Sequence, residues 1–310
     1  MAATAARSAL AAKDIFAENG CHPDMNPLGL DRRESRDSEA HPDSVGIVFA
    51  LDVSGSMGEI PELLARRTLP TFMAAVLEVL ADPQLMFLAF GNAGADRSPL
   101  QVGQFESDAE AMDRFLAATH LEGGGGGLGE SYDLAMLVGA RHTSMDCLEK
   151  RGRKGYFFMT GDEVPFTAVD HTVANRVLGS ALAANIPIHT IAAELLESFH
   201  VFFLIPDPAR EAPFGTGDTW RTLLGARTVV LAAPEDMAVV CALLVAVTEG
   251  SLRDIDGIRA RLESSATLGR QGEAAERVLR AVTPYLEAFT RGTLGPPAVL
   301  GTQPDPGFRG

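Results

Sequence analysis

Cysteine is scarce in this chain of 310 residues, which has three: Cys21, Cys147 and Cys241. They are odd in number, far apart and never in a CxxC pair. That argues against a disulfide framework or a cysteine zinc site and favours a reducing compartment. Basic residues are also few, with 26 Lys and Arg against 41 Asp and Glu and a net charge of −15. A nucleic-acid groove needs clustered cations, so no nucleic-acid partner is expected. The balance suits cationic or metal-bridged partners. No apolar run is long enough to span a bilayer, and Ala-rich Met1–Lys13 is broken by Arg7, Ser8 and Lys13. Neither a membrane segment nor a signal peptide is expected, so the expected location is cytoplasmic.

Catalytic signatures are missing too. There is no G-x-S-x-G elbow, no H-E-x-x-H and no P-loop. The histidines, among them His189 and His200, form no metal-ligand spacing. A G-x-G-x-x-G match at Gly124, Gly126 and Gly129 falls in a poly-Gly run that satisfies the pattern trivially, and no strand precedes it. A dinucleotide site is therefore set aside. The expectation is a protein that is not an enzyme.

What is present is a succession of short apolar runs separated by helical patterns, with 46% hydrophobic residues overall. Strands are expected at Ile47–Leu51, Leu85–Phe90, Gly155–Thr160, Ile186–Ile191, Val201–Ile205 and Thr228–Leu231, with an edge strand near Leu100–Phe105. Helices are expected between them, including Ile60–Leu80 and Ser131–His142. Such alternation predicts an α/β fold, a doubly wound and mostly parallel sheet flanked by helices. Residues 1–44, polar and aperiodic after Asn19, read as a flexible arm. Residues 45–250 read as the α/β domain with extra C-terminal strands, 251–291 as C-terminal helices and 292–310 as a disordered tail.

The central stretch is Ile47–Gly58. A buried strand runs into Asp52, and two hydroxyls follow at Ser54 and Ser56. One carboxylate and two hydroxyls at the carboxyl end of a strand form the hard oxygen cluster that Mg²⁺ or Mn²⁺ takes. The cluster also lies where open α/β sheets bind ligands. Further on, Glu122-Gly123-Gly124-Gly125-Gly126-Gly127-Leu128-Gly129-Glu130 opens a helix, and strand Gly155–Thr160 ends in Gly161-Asp162-Glu163.

In this order these segments resemble the metal-ion-dependent adhesion site of von Willebrand factor type A domains. Asp52-Val53-Ser54-Gly55-Ser56 matches its Asp-x-Ser-x-Ser motif, and the poly-Gly stretch resembles its second metal loop. The resemblance implies metal ligation by Asp52, Ser54 and Ser56, with Asp162 reaching the ion through water. The family's ligating Thr falls on Gly126, and Glu130 is the side chain that could take its place. Read without the family, Glu130 is a first-turn acid favoured by the helix dipole, and Glu163 a rim residue in solvent. The resemblance covers residues 45–205 and implies strand order 3-2-1-4-5-6 with strand 3 antiparallel. It also implies a protein-binding adaptor in which a partner's acidic side chain completes the metal's ligands. Bacterial intracellular members often work beside AAA+ ATPases, so such an ATPase is an expected partner. Two alternatives stay open: a Mg²⁺-dependent hydrolase of the same fold class, and a scaffold of this type that has lost its metal.

Overall fold

A computed structural model describes residues 20–64, 69–121 and 129–300. Its strands are β1 (Arg33–Ser35), β2 (Val45–Asp52), β3 (Pro83–Phe90), β4 (Leu100–Val102) and β5 (Thr143–Met145). They continue with β6 (Gly155–Thr160), β7 (Ala168–Val169), β8 (Ile186–Pro187), β9 (Phe199–Ile205) and β10 (Thr228–Val230). Six form the main sheet, in the order β10-β9-β6-β2-β3-β4. All neighbours run parallel except β3 and β4, which pair antiparallel. The fold is α/β, doubly wound about β2, and the order is the 3-2-1-4-5-6 set out above.

Every residue of β2 is buried, because the strand is covered on both faces. Side chains alternate across the sheet with period two, so neighbouring aromatics serve opposite faces. Phe158 and Phe202 stack at 5.3 Å, and this face continues through Phe72 to Phe49 and through Tyr285 at the other end. Phe203 points the other way and stacks on Trp220 at 3.7 Å. Helices Leu69–Leu77, Met237–Thr248 and Gly272–Thr290 pack together on the first face. Tyr132–Arg141, Ile188–Ser198 and Thr216–Leu224 cover the second. Helix Met237–Thr248 is buried through its whole circumference as far as Val247, which explains its unbroken apolar sequence.

Several expectations are corrected. Ile186–Ile191 is not a strand of the sheet. Only Ile186–Pro187 is extended, paired with β7, and a helix runs from Ile188 to Ser198. Ile188, Ile191, Ala192 and Leu195 recur at helical spacing and all are buried, so the period of the pattern outweighs the β-branching. His189 thus lies in a helix. The fifth and sixth places of the sheet go to β9 and β10.

Residues 20–44 are not a free arm. β1 pairs in parallel with β5, and Arg36 binds Asp146 at 2.9 Å and Glu149 at 2.7 Å. Asp37 in turn receives Arg151 at 2.8 Å. The polar composition of this stretch supplies a seam of ion pairs rather than solvation. The tail expected to be disordered from 292 is laid down as far as residue 300. Ala298 N donates to the Leu223 carbonyl at 3.3 Å, and Arg227 donates to the Gly295 carbonyl at 2.9 Å. Residues 1–19, 301–310 and the expected ligand loop at Gly123–Gly127, Gly126 included, lie outside the described residues.

Candidate functional site

The carboxyl ends of β2 and β6 bring the two expected motifs together. β2 ends on Asp52, which is fully buried. Its Oδ1 accepts a hydrogen bond from Ser54 N at 2.9 Å, the local turn that Asp favours, and its Oδ2 accepts from the Tyr132 hydroxyl at 2.9 Å. One turn of 3₁₀ helix, Gly55–Met57, then carries the chain outward. Ser54 is buried and Ser56 exposed, so the motif climbs from the floor of the site to its mouth. The Ser54 and Ser56 hydroxyls lie 2.9 Å apart, and Ser56 Oγ donates to Asp162 Oδ1 at 2.9 Å. Asp162 is 7% exposed and sits in the loop after β6.

Gly161 makes that loop possible. A methyl on its Cα would stand 2.2 Å from the Tyr132 hydroxyl, so the bare backbone is what lets Tyr132 reach Asp52. Tyr132 itself is pinned edge-on between Phe90, Phe203 and Trp220. Glu163 is not in solvent: its Oε2 accepts from Gly129 N at 2.6 Å and ties that glycine to the segment after β6. Gly129 has φ of +95°, a conformation that disfavours any side chain. Glu130 is not a first-turn acid either. The helix opens at Tyr132 behind Ser131, and Glu130 lies before that cap, 4% exposed. Its Oε2 has no hydrogen-bond partner among the described residues.

Burial and mutual repulsion set the charge state. Burial pushes the Asp52 carboxyl up to about 7, with the hydrogen bonds from Ser54 and Tyr132 opposing and the charge of Asp162 adding to it. Burial pushes Glu130 up to about 10, and the nearby Asp52, Glu163, Asp96 and Asp162 add to the shift. Glu163 is raised by burial as well. Among the described residues, one salt bridge relieves the group formed by Asp52, Glu130, Asp162 and Glu163: Arg210 with Asp162 Oδ2. Arg210 also donates to the Ser56 carbonyl, and its other nitrogen to the Met57 carbonyl at 3.4 Å.

Does this set fit a divalent cation? Among the described residues no three His, Cys, Asp or Glu side chains converge on one point. Any ion here therefore depends on hydroxyl oxygens. The 2.9 Å spacing of Ser54 Oγ and Ser56 Oγ matches the edge of an octahedron with metal–oxygen distances of about 2.0–2.1 Å, and Asp162 Oδ1 lies 2.9 Å beyond Ser56 Oγ, next to that edge. Glu130 Oε2 is buried with no hydrogen-bond partner among the described residues, and burial raises the Asp52 carboxyl, so a positive charge here would stabilise the ionised form of both acids. The residues present fit.

Asp52, Ser54, Ser56 and Asp162 are thus drawn together, with Glu130 buried within electrostatic reach. Tyr132 and Arg210 were not anticipated. Tyr132 offered a faint signal, a phenol among the apolar residues of a helix that follows a glycine-rich loop. Arg210 follows Pro206 and Pro208 just past the end of β9, on the side of the sheet where ligands bind.

No protein-family model matches this chain, and neither does any curated protein. Among solved structures it is similar to proximal thread matrix protein 1 from the mussel byssus, at 10% identity and a TM-score of 0.39. That match covers 69% of this chain and 48% of the mussel protein. It is also similar to the pilus adhesin SpaC of Lactobacillus rhamnosus GG in an open conformation, at 12% identity and a TM-score of 0.38. Here 84% of this chain and 31% of the adhesin are covered, so the chain spans less than half of either structure. Likenesses this remote bear neither on the fold nor on what the chain binds.

Proposed function

We propose that this chain is a non-enzymatic binding module of von Willebrand factor type A kind, which uses a divalent cation, Mg²⁺ or Mn²⁺, to capture an acidic side chain of a protein partner. Asp52, Ser54 and Ser56 would hold the ion, with Asp162 and Glu130 beside it. When bound, the cation supplies the positive charge that an incoming carboxylate needs. The observation that carries the reading is the chain of oxygens from Ser54 Oγ through Ser56 Oγ to Asp162 Oδ1, at 2.9 Å steps on the ends of two adjacent parallel strands. The remaining residues favour binding over turnover. Tyr132 and the Ser54 amide fix both Asp52 oxygens, which holds that carboxylate as a ligand rather than freeing it as a nucleophile.

Arg210 favours one alternative, a Mg²⁺-dependent hydrolase, because a guanidinium beside the acids is what phosphoryl chemistry asks for. Phosphatase and ATPase assays with Asp52→Ala as control separate the two readings. On the binding reading the partner would offer an acidic side chain, and an AAA+ ATPase is one candidate.

The test is calorimetric titration with Mg²⁺ and Mn²⁺. Wild type should bind one ion, and Asp52→Ala should lose at least about tenfold in affinity, since a charged ligand is removed. Ser54→Ala should lose less, because water can replace a neutral hydroxyl. Equal titration of wild type and Asp52→Ala would remove the site.

A further inference from the structure

Arg210 stands at the mouth of the site through an arrangement that is local and well anchored. The 3₁₀ turn Pro208–Arg210 follows β9 and is capped by Asp207, whose Oδ1 accepts from Ala209 N at 2.8 Å. From this turn the side chain reaches across to the loops after both β2 and β6. One nitrogen binds Asp162 Oδ2 and the Ser56 carbonyl, and the other lies 3.4 Å from the Met57 carbonyl. The two oxygens of Asp162 are therefore divided, Oδ1 to the Ser56 hydroxyl and Oδ2 to the guanidinium. Arg210 is 26% exposed in its side chain and Asp162 is 7% exposed, so the guanidinium sits between the acid and solvent.

We infer that Arg210 is a tethered cation that closes the site in the metal-free protein and competes with the divalent ion for Asp162. This rests on the reading of the site as a cation-dependent binding module. The physical basis is charge. The guanidinium neutralises the carboxylate that would otherwise draw the ion, and two positive centres sharing one carboxylate repel each other. Its three contacts are all to groups of the two loops that bear Ser56 and Asp162. Release of Arg210 therefore opens the mouth at the moment an ion takes its place. The ion's affinity is then the difference between two cations for one acid, lower than the donor set alone would give.

Two measurements on the full chain test this. In the first, Mn²⁺ and Mg²⁺ are titrated calorimetrically into wild type, Arg210→Gln and Arg210→Lys. Arg210→Gln should bind the ion about tenfold more tightly than wild type, and Arg210→Lys, which keeps the charge, should stay close to wild type. In the second, hydrogen exchange is followed at residues 207–211 of wild type with and without saturating Mg²⁺. Exchange there should rise with the ion, which a change in affinity alone does not require. If wild type binds the ion and Arg210→Gln binds it equally or more weakly, the latch is wrong and the binding module stands. If none of the three proteins binds an ion, both fall. Slower exchange at 207–211 with Mg²⁺ would mean that Arg210 is held in place by the ion, which also overturns the latch.

Discussion

Asp133 shows how costly a buried carboxylate is in this fold. It lies in the first turn after the Glu130-Ser131 junction, 4% exposed, with one oxygen that has no hydrogen-bond partner among the described residues. Burial pushes its carboxyl up to about 7. In the unfolded chain an Asp titrates near 3.9. Between about pH 4 and pH 7 the folded state thus holds a proton that the unfolded state has released. Stability from this group is present at low pH and is lost as pH rises through that window. Asp133→Asn removes the penalty, so it should gain on wild type with rising pH, by about 1–3 kcal/mol at pH 8. Urea denaturation at pH 5 and pH 8 checks this, and an equal difference at both would refute it. Residues of this kind divide sharply in how legible they were. Asp52, Ser54 and Ser56 could be read because they sit in one pentapeptide whose chemistry is local. Tyr132 meets Asp52 across 80 residues of sequence and Arg210 meets Ser56 across 154, and no local pattern encodes a contact at that separation. Glu130 and Glu163 were misread for a related reason. An acid beside glycines looks solvated until the fold closes over it.

Among the elements, β6 carries the tightest constraint. Gly161, directly after it, touches the Tyr132 ring, and the position tolerates no side chain without moving that ring. Gly161→Ala should destabilise the protein by about 1–3 kcal/mol through overpacking, and should pull the phenol off Asp52. Tyr132→Phe removes the atom that the new methyl meets first. The Gly161→Ala/Tyr132→Phe double variant should therefore be less destabilised than the sum of the singles. Strict additivity in urea denaturation would show that the contact is not the cause. Elements with long buried runs, β2, β3, β6 and β9, were plain in the sequence because strands covered on both faces are apolar throughout. Ile186–Ile191 failed because Ile-Pro-Ile is β-rich over three residues, whereas the helical spacing emerges over eight.

At the scale of the whole molecule, ion pairs fasten residues 33–37 to the segment 143–151. Arg36 joins Glu34, Asp146, Glu149 and the Ser144 hydroxyl, and Asp37 joins Lys150 and Arg151. Arg36→Ala should lower stability by about 1 kcal/mol and speed hydrogen exchange at residues 33–37, with metal titration unchanged. Loss of metal binding in that variant would show that the seam supports the site. This seam was illegible because a stretch rich in Asp, Arg and Ser has the composition of a solvated linker, and only the partner charges on 143–151 make it structure. The rims of the main sheet lead to a different consequence. Each ends in a strand of three residues, β4 on one side and β10 on the other, with β4 turned antiparallel to its neighbour. On the β4 side, pairing with β3 continues to Glu106 only through an isolated bridge, so neither rim gives a foreign backbone a long regular strand to align with, which guards the sheet against templated addition of further strands. At both rims of this sheet the protein thus offers its own copies little regular backbone to pair with.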